Sequence, residues 1–206
     1  MKLLTINLTA KRGNWLRFTA RKNNQSFLKL ERQVLARDQK TCRYCGFASE
    51  KYQQVVNLNN DYGPGQSTPN NMVTACVFCA QCLFLDGIGQ DKGWGGTIIY
   101  LPEITQSDLN HFCRVLFAGM LRDAPYKGKL QTSYLSLKDR ENIVNETFGP
   151  NSSDPYTFGQ TLIDSNLTAE QLQHPIMQQL RLLPDRRGFA EEVLYWKTKV
   201  FDQIPL

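Results

Sequence analysis

At 206 residues, with 41% hydrophobic and 21% charged side chains, the chain has the make-up of an ordinary globular protein with enough length to bury a core, which excludes a disordered or fibrous one. The longest apolar run, Met72 to Leu85, is interrupted by Thr74 and Gln81 and is well short of the roughly 20 residues that cross a bilayer, so no membrane insertion is expected. The net charge of +5 is unevenly spread: residues 1–50 hold eleven Lys and Arg against Glu31, Asp38 and Glu50, a local +8, which leaves −3 on the rest.

That asymmetry suits either an anionic partner or a solvated basic face. Met1-Lys2-Leu3-Leu4 begins like a signal peptide, but Thr5, Asn7 and Thr9 break the apolar run and Lys11-Arg12 follow. The reading is therefore a cytoplasmic protein without a secretion signal.

Alternation in Leu4-Thr5-Ile6-Asn7-Leu8 and in Trp15 to Ala20, joined by Lys11-Arg12-Gly13-Asn14, predicts an N-terminal β-hairpin. A helix from Ser26 follows, with Phe27, Leu30, Val34 and Leu35 on one face. A strand is expected at Gln54 to Leu58, then a turn-rich loop from Asp61 to Asn71. Thr97 to Leu101 reads as another strand, and Thr105 with Asp108 as a capping box. The helix it opens carries a core stripe of Leu109, Phe112, Cys113, Leu116, Phe117 and Met120. Further helices are expected at 134–148, at 155–164 with Asp154-Pro155 as its start, and at 186–201, with Gly149-Pro150 and Pro184 as stops. The fold class is thus α+β: a hairpin, a strand–strand–helix core and a helical C-terminal half. Two regions, 1–101 and 102–206, are expected to pack as one unit.

Six cysteines in a reducing compartment point to metal rather than disulfides. Cys42-Arg43-Tyr44-Cys45 and Cys76-Val77-Phe78-Cys79 are two C-x-x-C pairs separated by residues 46–75, a longer gap than the about 15–20 common in such sites. Each pair sets two sulfurs on one side of an ion, and four thiolates complete the tetrahedral shell of one structural zinc. Gly46 lets the first turn close. Cys82 extends the second pair and competes with Cys76 for the ion, but it also fits an apolar face with Phe78 and Leu85. Cys113 reads as core. Neither pair lies at the mouth of a βαβ unit, as a thioredoxin-like redox site requires, and there is no ferredoxin-type run.

The segments Ala36 to Gly46 and Asn70 to Cys79 resemble the zinc-stapled subclass of HNH endonucleases. The resemblance implies a zinc-held nuclease-type core, with a general-base position at Asn57 and a metal-holding position at Ala80. Asn cannot take a proton at neutral pH and Ala cannot ligate a metal, so the catalytic residues are expected to be absent. The only histidines, His111 and His174, are far from the motif in sequence and read as structural or exposed. Asp61 is a single loop carboxylate, a poor cation site.

Over most of its length the sequence is similar to the IcmJ (DotN) family of the Dot/Icm type IVB secretion system. The stretches are Thr41 to Phe47, Tyr52 to Tyr62, Met72 to Asp86, Gly95 to Thr105, Ser153-Asp154-Pro155, Phe158 to Ser165 and Arg181 to Pro184. The resemblance implies a cytosolic adaptor of the coupling complex. It would bind the C-terminal tail of the coupling ATPase DotL, meet other subunits at the inner membrane and support effector recruitment. The surface for the tail is not legible in the sequence. The competing readings are a zinc-dependent nucleic-acid binder using the basic N-terminal residues and a divergent HNH nuclease recruiting Asp61 with a distant His.

Overall fold

The computed structural model describes residues 2–90, 94–122, 125–165 and 169–202. Residues 2–10 form no strand and Asn14–Ala20 is a helix, α1, so the expected N-terminal hairpin is not formed. The backbone groups of the first segment are committed elsewhere. The Leu4 amide donates to the Arg43 carbonyl and the Thr9 amide to the Cys82 carbonyl, while the Thr9 carbonyl accepts from Leu85. Ladder groups used by distant segments are not available to a hairpin partner. Trp15 and Phe18 stand three residues apart, a helical spacing, and both rings pack against Phe84 and Trp94. Gly13, at φ 77, makes the left-handed turn into α1.

Helix α2 (Gln25–Arg37) is capped by Asn24, whose side chain accepts the Ser26 and Phe27 amides. Its buried Phe27 and Val34 cluster with Val55 and Met72. Strands β1 (Gln53–Asn57) and β2 (Met72–Cys76) pair antiparallel, from Gln53 opposite Cys76 to Asn57 opposite Met72. Helix α3 (Val77–Gln81) follows β2 without a break. The strand–strand–helix order expected around the cysteine pairs is present.

Strand β3 (Gly96–Tyr100) pairs antiparallel with β4 (Leu180–Pro184). A strand in the C-terminal half was not expected. Five residues are too few to show a period, and Leu180, Leu182 and Leu183 are buried as in any core segment. Arg181 satisfies three carbonyls, of Ile104, Gln178 and Leu180, which lets a charged residue sit in this strand.

Helix α4 (Gln106–Met120) begins with the predicted capping box of Thr105 and Asp108. Leu109, Cys113, Leu116, Phe117 and Met120 are buried as expected, but Phe112 is 44% exposed. The helix expected at 134–148 is two, α5 (Lys127–Lys138) and α6 (Glu141–Phe148). The chain turns at Asp139-Arg140, where the Arg140 carbonyl accepts the Tyr100 amide at the end of β3. Helix α7 (Pro155–Asp164) starts at Asp154, whose carboxylate accepts the Thr157 amide. It presses on residues 85–87 closely enough that a Cβ on Gly159 would lie 2.7 Å from the Asp86 amide nitrogen. Short helices α8 (Ala169–Leu172) and α9 (Pro175–Gln178) lead to β4. The helix expected at 186–201 is composite: a 3₁₀ turn at Arg186–Phe189, α10 (Ala190–Trp196) and a π-turn at Lys197–Phe201. Among the described residues no helix is long and apolar enough to cross a membrane.

Candidate metal centre

The first cysteine pair lies on a tight knuckle. Thr41 bridges to Ala48, the Cys42 amide donates to the Phe47 carbonyl at 2.9 Å, and the Gly46 amide returns to the Cys42 carbonyl at 2.8 Å. Gly46 takes φ +75, a left-handed conformation that L side chains rarely adopt. The second pair is set by the change from strand to helix. Cys76 ends β2 and is the extended residue before α3, and Cys79 lies on that helix's first turn. The Arg43 amide donates to the Thr74 carbonyl at 2.8 Å, locking the knuckle to β2.

These elements bring Cys42, Cys45, Cys76 and Cys79 together, with all four sulfurs within 4.8 Å of one another and all four residues buried. The Cys45 and Cys76 sulfurs are 3.7 Å apart. Tetrahedral zinc with bonds of about 2.3 Å requires sulfurs about 3.8 Å apart, so the observed separation fits a single ion. Cys82 lies outside the quartet and donates to the Phe78 carbonyl at 3.3 Å, a bond within its own helical turn. Cys113 is fully buried in the core cluster.

One face of α4 closes the centre. Ser107, Asn110, His111 and Arg114 recur at three- and four-residue spacing and all point to it. The Ser107 hydroxyl donates to the Tyr44 carbonyl, and the Asn110 amide to the Cys79 sulfur at 3.2 Å. His111 Nε2 is 2.5 Å from the Cys45 carbonyl. The Arg114 guanidinium donates to the Cys76 sulfur at 2.7 Å and to the Cys45 sulfur at 3.4 Å. It is stacked among Phe47, Phe78 and Trp196, with its carbon 4.1 Å from the Phe47 ring centre.

The electrostatics follow from burial and crowding. Hydrogen bonds from Cys42, Cys76 and Cys79 push the Cys45 thiol far below its ordinary range, whereas burial drives Cys76 and Cys79 well above theirs. Burial opposes the charge on Arg114, but the sulfurs of Cys76, Cys45 and Cys79 more than offset it and its pKa is raised. The donor set is soft, closed and buried. Four thiolates would fill the tetrahedral shell of a single metal ion, leaving no open position for water or substrate.

The other positions singled out in the sequence lie elsewhere. Asn57 is buried at the end of β1, where its amide nitrogen donates to the carbonyls of Asp61 and Gln66 at 2.7 and 3.3 Å and its oxygen accepts from Arg21 at 2.9 Å. Its side chain anchors the loop that follows. Ala80 is fully buried inside α3. Asp61 accepts the Gly63 amide in a local turn, and His174 caps α9 by accepting the Ile176 amide. Sequence reasoning missed Asn110 and Arg114, while His111, read as structural or exposed, is exposed and bonds the Cys45 carbonyl. A signal existed: Gln106, Asn110 and Arg114 are polar at four-residue spacing beside an apolar stripe, and all three are buried.

No family model matches the chain. It is 41% identical to the type 4 apparatus protein DotN of Legionella pneumophila subsp. pneumophila over 199 residues, covering 97% of this chain and 92% of that protein. With identity at that level over nearly the whole of both proteins, the chain belongs to the DotN (IcmJ) family.

Proposed function

We propose that this chain is a structural component of a type IV secretion apparatus. In this reading it is a cytosolic adaptor that holds one zinc on Cys42, Cys45, Cys76 and Cys79 and binds the C-terminal tail of the coupling ATPase DotL, supporting effector recruitment at the inner-membrane complex. The observation that carries the reading is the end-to-end similarity to a protein named for the type 4 apparatus. Fold alone would not carry it.

The centre supports the structural part. Sulfurs this close leave room for a single ion, and a tetrahedral four-thiolate set is the usual shell of structural zinc. Bound there, zinc would cross-link the knuckle to the start of α3. The sequence likeness to HNH nucleases supports a shared core, while Asn57 and Ala80 support the absence of catalysis. An amide already bonded to two carbonyls and a guanidinium can neither accept a proton nor move to a substrate.

The basic N-terminal residues favour nucleic acid less than their number suggests. Arg21 is stacked on Phe18, Phe27 and Tyr62, Arg37 and Arg43 lie against Asp38, and Lys40 pairs with Glu50. The deciding experiment is co-purification of this chain with the isolated DotL tail, with metal content measured on the same sample. A stoichiometric complex containing one zinc per chain is expected. A chain that passes the tail by at micromolar concentration would end the adaptor reading.

A further inference from the structure

Arg114 is 1% exposed, and among the described residues no carboxylate comes within ion-pair distance of it. A buried guanidinium without an anion is a costly arrangement, and such groups are normally paired. The atoms its terminal nitrogens meet are the Cys76 and Cys45 sulfurs and, at 3.4 Å, His111 Nδ1. Four thiolates around a divalent ion carry a formal charge of two minus, so the anion that Arg114 lacks elsewhere is the loaded centre itself.

We propose that Arg114 is an outer-sphere partner of the cysteine centre, placing a fixed positive charge on the Cys76 and Cys45 sulfurs and making metal occupancy hold α4 and α10 against the cysteine-bearing knuckle and the junction of β2 with α3. The inference rests on the zinc reading above. The rings that box the guanidinium come from three elements: Phe47 from the first knuckle, Phe78 from α3 and Trp196 from α10. A second link runs along the same face of α4. Asn110 donates to Cys79, Gln106 donates to the Asn110 oxygen at 3.0 Å, and the Gln106 amide group both donates to and accepts from the Leu182 backbone at 2.8 Å. The polar stripe of one helix thereby connects the centre to β4 as well as to α10. Outer-sphere donors of this kind fix the orientation of ligands and spread their charge, which lowers the tendency of a thiolate to leave the ion.

The test uses the full chain as wild type, Arg114→Lys and Arg114→Met. Methionine keeps an unbranched apolar side chain for the aromatic box; lysine keeps the charge without the planar fork that reaches two sulfurs. Zinc stoichiometry and release to a chelator are measured, along with the sulfur-to-cobalt charge-transfer band of the cobalt-loaded forms. All three forms are expected to bind one metal. Arg114→Met should release it about 10–100-fold faster, Arg114→Lys should fall between, and the cobalt band should move to longer wavelength in Arg114→Met as the sulfurs regain electron density. The band separates a direct effect on the sulfurs from general loosening, and Arg140→Met, a surface change, should leave it in place.

If Arg114→Met does not fold, Arg114→Lys decides: slower release than wild type, or an equal rate with an unshifted band, overturns the proposal. Equal metal retention in all three forms removes this inference alone. A wild-type chain that binds no metal removes the zinc reading and the inference with it.

Discussion

Asp38 Oδ2 accepts the backbone amide of Thr74 at 2.8 Å, joining the end of α2 to β2 two residues before Cys76. The same carboxylate takes two bonds from Arg37, at 2.9 and 3.1 Å, and Arg37 reaches on to the carbonyls of Pro69 and Met72. Burial opposes the charge on Asp38, but the bonds from Arg37 and Thr74 outweigh it and its pKa is lowered. A carboxyl whose folded pKa lies below its unfolded value contributes stability that is present above the unfolded value, near 4, and is lost as pH falls through the folded one. Asp38→Asn should therefore cost about 1–3 kcal/mol at pH 7. In denaturant titrations the gap between the two proteins should hold constant from pH 7 to about 5 and shrink below about 4. A gap that widens on acidification would show that the carboxylate is not the stabilising form.

Gly159 makes the opposite of the usual helix prediction. In a helix interior Gly→Ala ordinarily gains about 1 kcal/mol. Here the added carbon would lie 2.7 Å from the Asp86 amide nitrogen and 3.0 Å from both the Leu85 carbonyl carbon and its Cβ. Backbone atoms cannot swing aside, so α7 must lift from residues 85–87. The expected result for Gly159→Ala is a net loss of about 1–3 kcal/mol, the range of overpacked cores, read as a lower thermal midpoint. A midpoint raised by the substitution would mean that helix propensity wins and the contact is loose.

Removing the metal should do more than loosen the centre. Structural zinc in small modules is worth roughly 10–16 kcal/mol, while whole domains are stable by about 5–15. Chelation or Cys45→Ser is therefore expected to unfold at least residues 36–90, seen as loss of amide protection in β1, β2 and α3. Cys82→Ser, at a buried core position outside the quartet, should keep full metal content. A Cys45→Ser chain with wild-type metal content and melting temperature is the result that sinks the four-cysteine site.

The cysteine quartet was legible because ligand spacing is a local pattern: each C-x-x-C needs only its own turn, and the residues between the pairs need only return. The capping box at Thr105 and the Pro start at Pro155 were legible for the same reason. What was not legible depends on remote partners. Residues 2–10 look like a strand by alternation, yet their backbone bonds go to Arg43, Cys82 and Leu85. β4 exists because β3 lies beside it, and five residues carry no period that announces it. Arg114 reads as one more helix cation until Phe47, Phe78 and Trp196 are seen to enclose it.

The proposed complex with the ATPase tail should tolerate salt. The eleven Lys and Arg of residues 1–50 resemble a nucleic-acid footprint, but several of them are committed within the fold. Arg21 is stacked on three rings and bonded to Asn57 and Val55, and its pKa is lowered by burial to about 10. Arg37 and Arg43 flank Asp38, Lys40 pairs with Glu50, and Arg12 reaches Asp164. The exposed pairs, Lys40–Glu50 and Arg12–Asp164, are individually weak, about 0–1 kcal/mol, but each pair leaves less charge for a phosphate. A protein making 6–10 phosphate contacts loses about a thousandfold or more in affinity between 50 and 200 mM salt. An adaptor interface resting on buried apolar anchors with charges at its rim changes far less. Titrating the DotL tail and a generic DNA duplex into this chain across that range is expected to give a tail complex that persists and DNA binding that is weak throughout. Tight duplex binding at 200 mM, or a tail complex that dissolves there, would show that the ATPase tail is the wrong partner.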